Sequence, residues 1–222
     1  MDPSPEKKRL YEAFATSGKA LSHASRLELL DLLSQGERSV DDLARAAGLN
    51  LTTASSHLQI LKQAGFVHTR RDGVKVYYQL AGLDVAALFA ALRRVADRHR
   101  ADVSAARDAY LGGPHEPGID RDDLQARIAA GDIVLLDVRP AAEYRAAHIP
   151  GAVSIPIDEL ATRITELPEH TDVVVYCRGE YCVFAHDAVA ALSARGRRAI
   201  RLNDGMLEWR LAGEPINTGE YP

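Results

Sequence analysis

A chain of 222 residues with 46% hydrophobic and 26% charged side chains can bury one large core or two of about a hundred residues each. That balance excludes a disordered or collagen-like chain, and no apolar run approaches the length of a membrane span. The formal net charge of −4 is uneven: residues 1–110 stand at +3 and residues 111–222 at −7, so only the first half has a balance suited to nucleic acid. The start, Met1-Asp-Pro-Ser-Pro, is polar, and two cysteines five apart make no secretory disulfide framework. A cytoplasmic protein without membrane association is the expectation.

The first elements read as helices. Leu27, Leu30 and Leu33 recur at helical spacing between His23 and Leu33. Ser39 is placed to cap a short helix whose apolar face is Val40, Leu43, Ala44 and Ala47, and Gly48 ends it. After Asn50 a further helix runs to Gly65 with Ala54, Leu58 and Leu61 turned inward. Its other face carries Thr52, Ser55, Ser56 and Gln59, with Thr53 and His57 beside them. Solvated faces usually carry Glu and Lys, yet this one has neither before Lys62. Two short helices joined at a glycine, the second displaying small hydrogen-bonding groups, is the layout of a helix that reads a DNA major groove. For His57, a base or phosphate contact and an inward packing role both remain open.

Val67, Thr69 and Arg71 then alternate up to Asp72-Gly73, and Val74, Val76, Tyr78 and Leu80 alternate beyond it, which predicts a β-hairpin. Arg70, Arg71 and Lys75 near its tip are candidates for phosphate contacts. From Leu83 to about Tyr110 the pattern predicts one long helix with Val85, Leu88, Phe89, Leu92, Val95 and Ala96 on one stripe. So long a stripe exceeds what a small domain covers, so a second subunit is expected against it, together with the face carrying Leu10, Tyr11 and Phe14. A two-fold homodimer would read an inverted-repeat operator in double-stranded DNA.

The runs His23-Ala-Ser-Arg-Leu-Glu-Leu-Leu, Leu43-Ala-Arg-Ala-Ala-Gly-Leu and Thr53-Ala-Ser-Ser-His-Leu-Gln-Ile-Leu-Lys-Gln-Ala-Gly-Phe-Val together resemble the ArsR-type winged-helix repressors over roughly residues 8–100. Many members of that family sense metals through thiolates, or through His and Asp on the last helix. Here no cysteine precedes Cys177, and Asp84, Asp97 and His99 include no ligand pair one turn apart, so no metal is expected. Leu111-Gly-Gly-Pro-His-Glu-Pro-Gly118 is the clearest break. It divides the chain into a DNA-binding and dimerisation domain at 1–110, a linker at 111–117 and a second domain at 118–222.

In the second half apolar runs alternate with helical stretches: Ile133–Asp137 as a strand, Pro156 to Leu167 as a helix, Val173–Tyr176 as a strand, Val183–Arg195 as a helix and Ala199–Leu202 as a strand. That is an α/β domain with a largely parallel sheet. The strand ending at Tyr176 runs into the loop Cys177, Arg178, Gly179, Glu180, Tyr181, Cys182, with Val183 opening the following helix. A sulfur there faces unpaired helix-terminal amides, with Arg178 nearly offset by Glu180 and Gly179 letting the chain curl. Such surroundings lower a thiol pKa from about 8.5 into the range of roughly 3.5–7.5, so a Cys177 thiolate is expected.

Asp137-Val-Arg-Pro-Ala-Ala-Glu-Tyr144 with His148-Ile-Pro-Gly-Ala152, and Asn203-Asp-Gly-Met-Leu-Glu-Trp209 with Ala212-Gly-Glu-Pro215, resemble the two signatures of a single rhodanese domain, with Cys177 at the catalytic position between them. The resemblance spans residues 118–219. Ala147 and Asp204 stand where the family usually has Gly. It implies sulfur transfer through a Cys177 persulfide with no cofactor, and a structural or loop-supporting role for Asp137 and Arg139. A phosphatase of similar loop design would need Arg where Val183 stands. Cys182 reads either as a resolving thiol or as a small apolar residue starting the helix, and a zinc site of Cys177, Cys182 and His186 is not expected.

The fold expected is therefore a mainly-α winged helix-turn-helix followed by an α/β rhodanese-like domain. The function expected is transcriptional repression relieved by sulfane-sulfur donors, persulfides or polysulfides more than dianionic thiosulfate. The alternative is a working sulfurtransferase for which the winged helix is a tether or a separate regulator.

Overall fold

The structure, a computed structural model, describes residues 4–112 and 118–219, so most of the expected linker lies outside the described residues. It forms two compact units that divide between Leu92 and Arg93.

The first unit runs α1 (Pro5–Ala20), α2 (Ala24–Ser34), β1 (Arg38–Ser39), α3 (Val40–Ala46), α4 (Leu51–Gln63), β2 (Val67–Asp72), β3 (Lys75–Leu80) and the start of α5 (Leu83–His99). Side-chain caps set the helix starts. The Ser39 hydroxyl accepts the Asp42 N–H at 3.1 Å, and the Asn50 carbonyl oxygen accepts the Thr53 N–H at 2.8 Å. Gly48, at φ +61°, makes the turn between α3 and α4. Leu29, Leu30, Leu33, Leu43, Leu58 and Leu61 are fully buried, and β1-β3-β2 form an antiparallel sheet beside them. Asp72 pairs with Lys75, so the tip residues are Gly73-Val74, one position later than the expected Asp72-Gly73. Gly73 takes the positive φ (+57°) that the first position of a type II′ turn demands.

The second unit holds the end of α5, then α6 (Ala101–Leu111), α7 (Arg121–Ala130), β4 (Ile133–Asp137), α8 (Ala141–Ala146), β5 (Val153–Ser154), α9 (Leu160–Arg163), β6 (Asp172–Tyr176), α10 (Val183–Ser193), β7 (Ala199–Arg201) and α11 (Met206–Leu211). The strands pair in parallel in the order β5-β4-β6-β7. Alternation sorts their side chains to two cores. Leu135, Val174 and Tyr176 join Leu124, Met206 and Trp209, whereas Leu136, Val173, Val175 and Cys177 join Leu160, Ala185, Ala188 and Leu192. Burial on both faces explains the unbroken apolar runs.

Two expected helices differ. The stretch from Leu83 to Tyr110 is two helices, broken at Arg100, whose backbone is extended (φ −130°, ψ 108°). The Asp97 carboxylate accepts both the Ser104 hydroxyl and the Arg107 guanidinium, which holds α6 in the broken geometry. Between Pro156 and Leu167 only Leu160–Arg163 is α-helical, followed by a 3₁₀ turn at Ile164–Glu166. There the Ile157 N–H is committed to Val138 O at 3.1 Å, which keeps the start of the segment out of a helix. No helix among the described residues is long and apolar enough to cross a membrane.

Candidate functional site

Cys177 follows directly on β6, and its alternation with Val173 and Val175 turns the sulfur into the core beneath α10. It is only 2% exposed. Its Sγ lies 3.4 Å from the Cys182 carbonyl oxygen and 3.9 Å from that of Gly179. The N–H groups of Ala185 and Gly179 point to this sulfur, and those of Arg178 and Phe184 point to Cys182. The amide nest is thus divided between two thiols. Burial pushes the Cys177 thiol well up, and its hydrogen bond to Cys182 pushes it the same way. That bond lowers the Cys182 thiol, with help from the Arg178 and Phe184 amides. The expected Cys177 thiolate is therefore corrected. Apolar burial outweighs two amides, and the first negative charge falls on Cys182.

Two further expectations change at this loop. Arg178 is neutralised by Glu143 of α8, in a forked pair at 2.7–3.1 Å, and not by Glu180, which is exposed. The Gly179 φ is not positive, so its backbone makes no demand for glycine. A Cβ there would stand 2.8 Å from Glu208 Oε2, and one at Gly205 would overlap the Gly179 backbone. From α11 the Met206 and Leu207 amides donate to the Cys177 and Arg178 carbonyls, both at 3.0 Å, and fix the loop from below. Tyr181 is half-buried, and Val183 begins α10.

Asp137 and Arg139 are fully buried and paired at 2.6 Å, with Arg139 also donating to Ala147 O at 2.7 Å. Asp137 lies beside Tyr176 in the sheet, so the pair braces the strand end that carries Cys177 without touching the sulfur. Three groups that the sequence reading passed over belong here: Glu143, Glu208 and Arg201. Arg201 is on the strand next to β6 and interacts electrostatically with Cys177 and Glu180. Its position at the C-terminal end of a parallel strand was the available signal.

On α4, Thr52, Ser56 and Gln59 are exposed, while Thr53 and Ser55 are half-buried. Gln59 is tethered, its amide donating to Tyr78 OH at 2.9 Å. His57 packs against the His23 ring, with centroids 4.3 Å apart, and lies 3.5 Å from Arg26. Arg70 pairs with Glu37 at 2.6 Å and lies over the Tyr77 ring, whereas Arg71 and Lys75 stand exposed beside the hairpin tip.

Residues 120–212 match the rhodanese-like domain family, and residues 23–69 match the arsR family of bacterial regulatory proteins. An HTH-type transcriptional regulator of Mycobacterium tuberculosis is 54% identical over 97% of this chain and 95% of its own length. The chain belongs to the ArsR family. It is a DNA-binding transcriptional regulator of that family with a C-terminal rhodanese domain. A sulfurtransferase of Allochromatium vinosum is 35% identical over 44% of the chain and 92% of its own length. A solution structure of a homodimeric winged helix-turn-helix DNA-binding domain from Mycobacterium bovis is 50% identical, covering 46% of this chain and 94% of its own, with a TM-score of 0.42. In this ArsR-family regulator, then, both thiols of the chain stand in the rhodanese loop and none in the DNA-binding half.

Proposed function

We propose that this regulator is a homodimeric cytoplasmic repressor that reads reactive sulfur at the Cys177–Cys182 pair and loosens its grip on an inverted-repeat operator when loaded. The observation that carries the reading is the pairing of the chain's two thiols inside one amide-lined loop. A sulfur signal has no other thiol to enter by.

The chemistry balances without a cofactor. The Cys182 thiolate takes the Cys177 proton, and the Cys177 sulfur attacks the terminal sulfane sulfur of a polysulfide or persulfide. A new S–S bond forms, the donor's own S–S bond breaks, and the shortened donor leaves with the electron pair. Cys182, once deprotonated again, attacks Cys177 Sγ and expels hydrosulfide, leaving a Cys177–Cys182 disulfide. The two thiols are oxidised and the transferred sulfur is reduced. Arg178 is already held by Glu143, so the site favours persulfides and polysulfides over dianionic thiosulfate.

On the DNA side, Thr52, Ser56 and Gln59, flanked by Thr53 and Ser55, face the groove, and Arg71 and Lys75 meet phosphates, with Arg70 held behind them. Leu10, Tyr11 and Phe14 on α1 and Leu88 and Leu92 on α5 are exposed apolar side chains that a second copy would cover.

Intact-mass measurement after polysulfide treatment tests the entry point. Wild-type protein is expected to pass through a one-sulfur adduct to the disulfide, which is two hydrogens lighter, Cys182→Ser to stop at the persulfide and Cys177→Ser to gain none. Wild type that shows neither an added sulfur nor the disulfide, under conditions that load a comparable control, would refute the reading. A sulfurtransferase merely tethered to DNA is told apart by Cys177→Ser, which would then lose turnover but keep inducible DNA release.

A further inference from the structure

Helix α5 has two jobs along its length. Val85, Ala86, Phe89 and Ala90 are buried in the first unit, and Arg93, one turn later, belongs to the second. The Arg93 guanidinium donates to Glu208 Oε1 at 3.2 Å and lies over the Tyr181 ring, 4.9 Å from its centroid. The other Glu208 oxygen accepts the Gly205 N–H at 3.1 Å and abuts Gly179, where a Cβ would stand 2.8 Å from it. One cation on α5 therefore grips the thiol loop at two places: directly at Tyr181, and at Gly179 through the Glu208 carboxylate. Both ends of the Arg93–Glu208 pair are about one-fifth exposed, so solvent screens it less than a surface pair. Burial raises the Glu208 carboxyl, and Arg93 is the first influence opposing that rise.

We propose that Arg93, through Glu208 and Tyr181, is the positioning residue by which the sulfur state of the Cys177 loop acts on helix α5. The inference rests on the sulfur-sensing reading above. A sulfur atom added at Cys177 enters a buried position that shares a core with Val173, Val175 and Ala185 and lies 3.9 Å from the Gly179 carbonyl oxygen. A close-packed interior does not absorb an extra atom without displacement. Gly179, whose carbonyl oxygen lies 3.9 Å from that sulfur, abuts Glu208, and Tyr181 two residues on lies under Arg93. Displacement of this loop pulls on the helix that continues into the DNA-binding unit.

The test uses full-length Arg93→Met and Arg93→Lys beside wild type. Intact mass after polysulfide treatment gives loading, and anisotropy on a labelled duplex of the protein's own upstream region gives affinity. Arg93→Met is expected to load sulfur as wild type does and to bind DNA equally before treatment. Its polysulfide-dependent affinity change should shrink to less than about two-fold, against the roughly 5–150-fold span of allosteric coupling. Arg93→Lys, which keeps the charge, is expected to retain a response. If Arg93→Met does not fold, Arg93→Gln takes its place under the same criterion. A neutral variant that responds with the full wild-type fold-change overturns this inference alone. Wild type that loads sulfur with no change in DNA affinity overturns the sensing reading, and this inference with it.

Discussion

Cys177 and Cys182 are five residues apart and differ in nearly everything that sets thiol reactivity. Cys177 is sealed in the core and donates its proton, while Cys182 is half-buried, accepts that proton and has the Arg178 charge near it. A thiolate population grows as pH rises through the group's pKa, so the lowered thiol ionises first and the raised one last. Alkylation by iodoacetamide at neutral pH is therefore expected to modify Cys182 first, with Cys177 following only at higher pH. Peptide mapping across a pH series checks the order, and prior labelling of Cys177 would contradict it. The motif singles out Cys177 but says nothing of its protonation, because that depends on which face of β6 the residue takes. Arg178 shows the same limit, since its partner Glu143 lies 35 positions earlier and meets it only in the folded sheet.

At the scale of elements, the wing makes the plainest electrostatic statement. Arg71 and Lys75 are exposed at its tip, whereas Arg70 is held by Glu37 and Asp72. Each phosphate-contacting cation adds nearly one unit to the slope of log affinity against log salt. Arg71→Ala and Lys75→Ala are each expected to lower that slope by about 1 and to weaken binding alike on operator and unrelated DNA. A salt titration by anisotropy checks this, and an unchanged slope in both variants would remove the wing from the interface. Elements set by local chemistry were legible beforehand, namely the cap at Ser39, the hairpin within one residue of its turn and the parallel strands read as Ile133–Asp137 and Val173–Tyr176. The break at Arg100 was not, because Asp97, Ser104 and Arg107 form it through side chains that continue a helical pattern equally well. Pro156 to Leu167 misled for a related reason: a helix-like pattern yielded to a backbone bond with Val138.

For the whole molecule, the apolar side chains left uncovered on α1 and α5 are where the proposed second copy would pack. Leu88 is 46% exposed in the isolated chain and lies on the same helix as Phe89, which is buried. A charge placed there meets its own copy across a two-fold axis, which desolvates and repels both. Leu88→Glu is expected to sediment as a monomer where wild type sediments as a dimer, and to lose at least about ten-fold in operator affinity as one half-site is lost. A Leu88→Glu dimer would move the interface elsewhere.

The central claim is that sulfur on one loop changes the grip on a duplex, and anisotropy measures it most directly. Labelled DNA from the protein's own upstream region is titrated with wild type and with Cys177→Ser, before and after polysulfide. Wild type should weaken by about ten-fold or more on treatment, within the usual range of coupling between sites, and Cys177→Ser should bind equally in both states. Equal wild-type affinity before and after treatment, on protein whose Cys177 has demonstrably reacted to the persulfide or the disulfide, would contradict the account.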